Sequence, residues 1–110
     1  FEAVADVVVA GDARVEGARA VAALRERGWR RILCEGGPTL FGRLVEDGVV
    51  DELCLTWAPV LAAGNAGRIA RSPGSALTPM RRAHLLCDDD GTLLTRWVRP
   101  TALEGDGDGR

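Results

Sequence analysis

The chain has 110 residues, of which 46% are hydrophobic and 27% are charged, and its formal net charge is −2. This length allows one domain with a modest core, and the composition is ordinary for a globular protein. The small negative charge argues against nucleic acid or an anionic membrane surface as a partner. No apolar run approaches the roughly 20 residues that a transmembrane helix needs.

The cysteines and the single histidine argue against a metal site. Cys34, Cys54 and Cys87 are widely spaced and form no CxxC pattern, and His84 is the only histidine. A structural zinc site needs about four such ligands, usually at short spacings. Each cysteine lies in an apolar run, so we expect buried free thiols in a reducing cytoplasm.

Five segments of the first half predict alternating strands and helices. Apolar, β-branched runs favour strands, and stretches rich in Ala, Arg, Glu and Leu favour helices, which end at Gly28 and Gly48. The predicted order is strand 5–10, helix 15–27, strand 31–35, helix 38–47 and strand 49–57. Strands joined through helices in this way pair in parallel, with right-handed crossovers.

The second half has a different pattern. Residues 62–79 are rich in glycine, proline and small residues and predict a long loop. Residues 81–87 and 92–99 flank an Asp-Gly turn, which predicts an antiparallel hairpin. We therefore expect a three-layer α/β fold with a mixed, mostly parallel sheet flanked by helices and a C-terminal antiparallel hairpin. Residues 104–110 alternate glycine with charges and predict a disordered tail after a domain of residues 1–103.

The segment from Ile32 to Leu40 carries the clearest chemical signal. An apolar strand is followed by Glu35, two glycines and Pro38, and proline suits the first position of a helix. Glycines let a ligand approach the backbone closely, and the N–H groups and dipole of a helix N-terminus favour a phosphate. The pattern predicts a two-part site, with a carboxylate beside an anion cradle. The alternative is an ordinary strand-to-helix turn with a solvated Glu35.

Other polar features favour structural interpretations. Asp51-Glu52 and Gly11-Asp12 could line a ligand crevice, but each fits a solvated strand entry or an ordinary turn. The cluster Asp88–Asp90 lacks the spacing of a calcium-binding loop and fits a solvated turn. We expect a structural role for His84. Core or interface positions are expected for the three tryptophans, Trp29, Trp57 and Trp97.

Residues 32–61, ILCEGGPTLFGRLVEDGVVDELCLTWAPVL, closely resemble the reductase domain of bacterial riboflavin biosynthesis. The shared features are an apolar strand, Glu-Gly-Gly, a small helix, an acidic pair after Val50 and a strand that ends in Ala-Pro. The element order also agrees over residues 7–31 and over the terminal hairpin. The resemblance implies a dihydrofolate-reductase-like fold.

The resemblance also implies a function. Members of this family take hydride from NADPH and reduce the ribosyl group of 5-amino-6-(5-phosphoribosylamino)uracil to a ribityl chain. By this resemblance Glu35 binds the substrate. The NADPH phosphates are assigned to the turn and the first part of the helix, at Gly37, Pro38, Thr39, Leu40, Phe41, Gly42 and Arg43. Relatives are commonly dimers, so a cytoplasmic homodimer is expected.

Two alternatives remain open at the level of the sequence. One is a related reductase that acts on another pterin or pyrimidine substrate, and the other is a non-catalytic nucleotide-binding or dimerisation module. The resemblance further implies that this chain is the C-terminal half of the reductase domain, so we expect it alone to bind ligand weakly and turn over little. No arginine is clearly placed for a 2′-phosphate, which leaves the choice between NADPH and NADH open.

Overall fold

The computed structural model describes residues 3–101, which form two helices and one three-stranded sheet. The elements are α1 (Gly17–Glu26), α2 (Pro38–Glu46), β1 (Glu52–Trp57), β2 (Arg81–Cys87) and β3 (Leu93–Val98). The chain divides into two compact units. Among the described residues, the helical unit comprises residues 3–49 and Gly67–Ala76, and the sheet unit comprises Val50–Ala66 and residues 77–101.

Both helices lie where their sequences predict them, and their ends follow local rules. Pro38 is the first residue of α2, where its missing N–H costs no hydrogen bond. Beyond the two helices, Gly28 and Gly48 adopt φ values of +85° and +69°. This left-handed conformation is the one that glycine commonly supplies just after a helix.

The N-terminus of α1 is capped by a residue from the end of α2. The backbone N–H of Gly17 donates to Oδ2 of Asp47 over 2.6 Å, whereas the N-cap residue Glu16 makes no side-chain capping bond. Gly17 is buried, and a Cβ at this position would lie 2.9 Å from that same oxygen. Asp47 therefore ends α2 through its backbone and satisfies a donor at the start of α1 through its carboxylate.

The sheet has the strand order β1-β3-β2, and both pairings are antiparallel. The predicted hairpin is confirmed as β2 and β3. Its turn is closed by the N–H of Asp88, which donates to the carbonyl of Thr92 over 2.9 Å. The N–H of Thr92 in turn donates to Oδ1 of Asp90 over 2.8 Å, and Gly91 has a φ of +91°. The acidic cluster thus organises the turn.

The parallel part of the predicted sheet is not found among the described residues. Segments 5–10 and 31–35 form no strand, and β1 pairs antiparallel with β3 rather than as a third parallel strand. A strand needs a ladder of backbone hydrogen bonds, whereas the carbonyl of Ala10 accepts a local bond from the N–H of Glu16 over 2.7 Å. The α/β class holds, and residues 58–80, which include the predicted loop at 62–79, form no helix or strand.

Few side chains are buried within residues 3–101. Ala10 is the only buried hydrophobic residue in that range, and Thr95 is the buried polar one, at 8% exposure each. The Thr95 hydroxyl donates to the carbonyl of Leu55 over 2.7 Å and accepts from Nε1 of Trp97 over 2.9 Å. These two bonds satisfy the buried hydroxyl, as a buried polar group requires.

The predicted burial of the cysteines is wrong, and of the core or interface positions predicted for the tryptophans, Trp29 and Trp57 do not take the core one. All three cysteines are free and exposed, because the strand-like runs that carry them are not covered on both faces. Trp29 and Trp57 are 55% and 58% exposed, while Trp97 is half-buried. His84 lies on β2, as predicted, and is exposed.

No helix within the described residues is long and apolar enough to cross a membrane. The predicted tail at 104–110, together with the domain boundary at 103, lies outside the described residues.

Candidate functional site

The backbone around the glycine pair is open to a ligand. Gly36 has a φ of +87°, a conformation that disfavours any residue with a Cβ, and the Gly36–Gly37 peptide bond is cis. Gly37 is the N-cap of α2 with extended backbone angles. A Cβ placed on Gly37 would meet no atom within 4 Å, so empty space lies directly against this part of the chain.

The first turn of α2 presents donors that the helix itself does not use. Pro38 has no N–H, and helical geometry leaves the N–H groups of Thr39 and Leu40 without an intrahelical acceptor. No side chain caps this end, and no acidic residue lies in the first turn. Thr39 and Leu40 are exposed. The uncapped donors and the positive end of the helix dipole favour an anion here.

Glu35 precedes the glycine pair and is exposed. Within residues 3–101 its carboxylate forms no hydrogen bond or ion pair, so its oxygens remain able to accept hydrogen bonds from a ligand. The carboxylate and the open helix start are separated in sequence only by Gly36 and Gly37. The two parts of the predicted site are therefore adjacent in the chain.

The later residues of the predicted cofactor set have other contacts. Phe41 is half-buried, and its N–H donates to the carbonyl of Gly37 over 2.9 Å. Gly42 is buried. Nη1 of Arg43 lies 3.4 Å from Oε2 of Glu46, and both side chains are largely covered. A ligand role for every residue of the set stays a prediction, and the accessible part of the set is Gly37 to Leu40.

Sequence reasoning missed the loop segment that lies against α2. The N–H of Arg71 donates to the carbonyl of Pro38 over 2.9 Å, and Gly42 faces the backbone of Arg71. A glycine inside a helix costs about 1 kcal/mol relative to alanine. Its presence in the middle of α2 is the signal that could have indicated a close backbone approach.

The other polar candidates have structural contacts in this fold. Oε1 and Oε2 of Glu52 accept from Nε and Nη2 of Arg96 at 2.6 and 2.8 Å. The hydrogen bonds from Arg96 hold the pKa of Glu52 below its ordinary value, and the same bonds raise the pKa of Arg96. Gly11 and Asp12 lie in the turn closed by the bond between Ala10 and Glu16.

No group of three or more potential metal-ligating side chains occurs in the part of the chain that the structure describes. His84 lies near Arg96 in a shallow depression of the sheet unit, alongside Cys54, Thr56, Leu86 and Leu94. Arg96 is already paired with Glu52, so its guanidinium is not free to bind a ligand in this depression.

The chain is similar to known proteins in both sequence and fold. The chain is 38% identical over 61 residues to the 2,5-diamino-6-ribosylamino-4(3H)-pyrimidinone 5′-phosphate reductase of Archaeoglobus fulgidus, an alignment that covers 56% of this chain and 28% of that protein. A crystal structure of a pyrimidine reductase-like protein from Corynebacterium diphtheriae has a similar fold, with a TM-score of 0.77 and 24% identity. It matches 91% of this chain and 41% of its own length.

The match thus spans 28% of the Archaeoglobus protein and 41% of the Corynebacterium protein, less than half of either. The family described as the RibD C-terminal domain matches residues 1–94, which is most of the chain. This match includes the glycine pair, the first turn of α2 and all of β1 and β2. It confirms the family expected from residues 32–61. The chain belongs to the RibD C-terminal domain family.

Proposed function

We propose that this chain is the cofactor-binding part of an NADPH-dependent reductase of riboflavin biosynthesis. The reaction is reduction of the ribosyl group of 5-amino-6-(5-phosphoribosylamino)uracil to a ribityl chain. Family membership and the name of the Archaeoglobus relative support this proposal. The structural observation that carries it is the uncapped start of α2, which directly follows Glu35 and two glycines.

The residues at this end of α2 fit a dinucleotide phosphate. The N–H groups of Thr39 and Leu40 are available to phosphate oxygens, and the space against Gly37 is open. The Thr39 hydroxyl can add a further donor. NADPH supplies the hydride when it is bound, and the protein supplies the position of the cofactor relative to the sugar.

Glu35 has a separate role in this proposal. A carboxylate accepts hydrogen bonds from neighbouring hydroxyl groups, and the exposed Glu35 has no protein partner within the described residues. We assign it to the sugar hydroxyls of the substrate. Holding these hydroxyls in one orientation places the reacting carbon of the sugar against the cofactor. This positioning raises the rate of hydride transfer.

A second substrate is favoured by a specific observation. The Archaeoglobus relative is named for a pyrimidinone that carries an amino group at position 2, where the uracil has an oxygen. The two substrates share the phosphoribosylamino group, whose ribosyl part is reduced to a ribityl chain. Comparing the binding affinity of the two compounds, which needs no turnover, distinguishes these candidates, because only the group at position 2 differs.

The proposal extends to the complete fold. We propose that segments 5–10 and 31–35 join a mixed, mostly parallel sheet of a three-layer, dihydrofolate-reductase-like domain that covers residues 1–103. Support comes from Val9 and Leu33, which are apolar yet 78% and 83% exposed. Further support is the fold similarity to the Corynebacterium protein. Apolar side chains such as Val9 and Leu33 are typical of strands that a neighbouring layer of the fold covers.

We also propose a cytoplasmic homodimer. β1 and β2 are the edges of the three-stranded sheet, and an open edge can pair with another strand. The three cysteines are free, which suits a reducing compartment. Sedimentation velocity at several protein concentrations would detect the dimer.

The first experiment is an NADPH titration followed by energy transfer from tryptophan to the nicotinamide. Gly37→Asp should abolish saturable binding, because it places a carboxylate where the phosphate is proposed to bind. The helix should persist, since aspartate is a good N-cap residue and its Cβ meets no atom at this position.

Gly37→Asn is the matched control, because asparagine caps a helix equally well without the charge. It should bind NADPH far better than Gly37→Asp. Glu35→Gln should keep NADPH binding and lose affinity for the ribosyl substrate. Equal NADPH binding by the wild type and Gly37→Asp would contradict a phosphate site at this helix start.

A further inference from the structure

Gly42 has no room for a side chain because a distant segment lies against it. A Cβ at this position would collide with the carbonyl carbon and oxygen of Arg71 and lie 2.6 Å from its nitrogen. Gly42 is also buried. Backbone atoms cannot rotate away as the end of a long side chain can, so any residue other than glycine must displace the segment around Arg71.

The same segment contacts α2 near both ends of the helix. The N–H of Arg71 donates to the carbonyl of Pro38, in the first turn of the helix, over 2.9 Å. Gly74 lies so close to Glu46, the last residue of α2, that a Cβ there would collide with the Glu46 carboxylate. We call residues 67–76 the strap. All of these residues belong to the helical unit.

The strap has an internal bond that shapes it. Oγ of Ser72 donates to the carbonyl of Gly74 over 3.0 Å, which closes a short turn between the two points of attachment. The strap therefore lies along α2 with defined contacts at Pro38 and Glu46. The Arg71–Pro38 hydrogen bond is the contact at the uncapped N-terminus of α2.

We propose that Gly42 is a positioning residue that acts through Arg71, and that the strap fixes the first turn of α2 in the orientation that receives the cofactor phosphates. This inference rests on the proposed function for its ligand. It gives Gly42 a role different from direct cofactor contact: the absent side chain admits the strap, and the strap holds Pro38. The donors of Thr39 and Leu40 follow Pro38 directly, so their direction depends on this contact.

Gly42→Ala tests the proposal, because alanine is the better helix former by about 1 kcal/mol. If Gly42 mattered only for the helix itself, Gly42→Ala would leave helicity and the free energy of unfolding unchanged or raise them. We expect faster hydrogen exchange of the Arg71 amide, unchanged or greater helicity, and NADPH affinity reduced by about tenfold, as for loss of one hydrogen bond with its supporting packing. Gly67→Ala is the matched control in the strap, since its Cβ would lie 3.9 Å from Cδ of Arg71.

A second pair of variants examines the contact between the strap and Glu46, at the C-terminal end of α2. Gly74→Ala should weaken NADPH binding less than Gly42→Ala, because the Glu46 side chain can rotate away. Adding Glu46→Ala should restore binding in Gly74→Ala but not in Gly42→Ala. Such selective rescue is not expected of a general loss of stability.

The possible failures are distinguishable. An Arg71 amide as protected in Gly42→Ala as in the wild type would overturn the strap contact. Faster exchange with unchanged NADPH affinity would overturn the positioning role. A wild-type chain that keeps the protected Arg71 amide but binds no NADPH would contradict the proposed function, and with it the cofactor role given to Gly42.

Discussion

At the scale of single residues, Asp47 shows how one side chain can serve two helices. Its carboxylate accepts the N–H of Gly17 at 2.6 Å, at the positive end of α1, and its own backbone closes α2. Capping bonds and the favourable interaction with the helix dipole each contribute to stability. Because the residue before α1, Glu16, provides no side-chain cap, the distant aspartate takes this role.

Asp47→Ala should lower the free energy of unfolding by about 1 kcal/mol, the usual cost of losing a helix cap. Asp47→Asn should lose less, since its amide oxygen can still accept the Gly17 N–H without the charge. Urea unfolding followed by circular dichroism measures both. Asp12→Ala, at an exposed turn position, is the control and should be close to wild type. An Asp47→Ala variant as stable as this control would contradict the capping role.

Local sequence rules were sufficient for part of the candidate site. Pro38 at the start of a helix and two glycines before it predict the open turn, because these preferences depend on adjacent residues alone. The contacts of Gly42 and Arg71 depend on two segments far apart in the chain. No local pattern encodes which loop meets which helix, so the strap was not predicted.

At the scale of elements, the same distinction separates helices from strands. The hydrogen bonds of α1 and α2 lie within each segment, and both helices were predicted to within two residues at their ends. A strand is defined by its partner, and residues 5–10 and 31–35 have the composition of strands without a ladder in this structure. The hairpin was predictable because β2 and β3 are joined by a short turn.

The pairing of β1 with β3 should depend on pH through Glu52. Its pKa lies below the ordinary value of 4.5 because Arg96 donates two hydrogen bonds to the ionised form. A carboxylate with a lowered folded-state pKa contributes stability that is fully present above its unfolded pKa. That contribution is lost as the pH falls through the folded pKa. The stability difference between wild type and Glu52→Gln should therefore be present at neutral pH and disappear in acid below 4.5.

Urea unfolding of both proteins at a series of pH values checks this dependence. Glu26→Gln serves as control, because Glu26 is exposed and has no ion pair within residues 3–101. High salt should reduce the Glu52 effect, since the pair with Arg96 is partly exposed to solvent. A difference that grew on acidification would contradict the assigned sign.

At the scale of the whole molecule, the exposed apolar side chains are the dominant feature. Val9, Leu33 and Leu86 are 78%, 83% and 64% exposed, whereas Ala10 is the single buried hydrophobic residue between positions 3 and 101. Burial of apolar area supplies most of the free energy of folding. The described residues therefore derive little stability from a core and leave apolar surface accessible to other molecules.

The chain should therefore enhance the fluorescence of the dye ANS under native conditions. Replacing Val9 and Leu33 with serine should reduce this signal and change the free energy of unfolding by no more than about 0.5 kcal/mol, as for other surface substitutions. Arg14→Ser, which removes an exposed charge, should leave the dye signal unchanged. A strong loss of stability in the double variant would instead show that segments 5–10 and 31–35 already pack as the proposed strands within this chain.

The buried Thr95 has a consequence for the fidelity of strand alignment. Thr95 lies directly opposite Leu55 in the pairing of β1 with β3, and its hydroxyl donates to the Leu55 carbonyl. A slip of one residue would remove this acceptor, and it would also move Glu52 to the opposite face from Arg96. Both polar contacts thus penalise the same error. A β1 strand that lies at the sheet edge is in this way kept from sliding into alternative pairings.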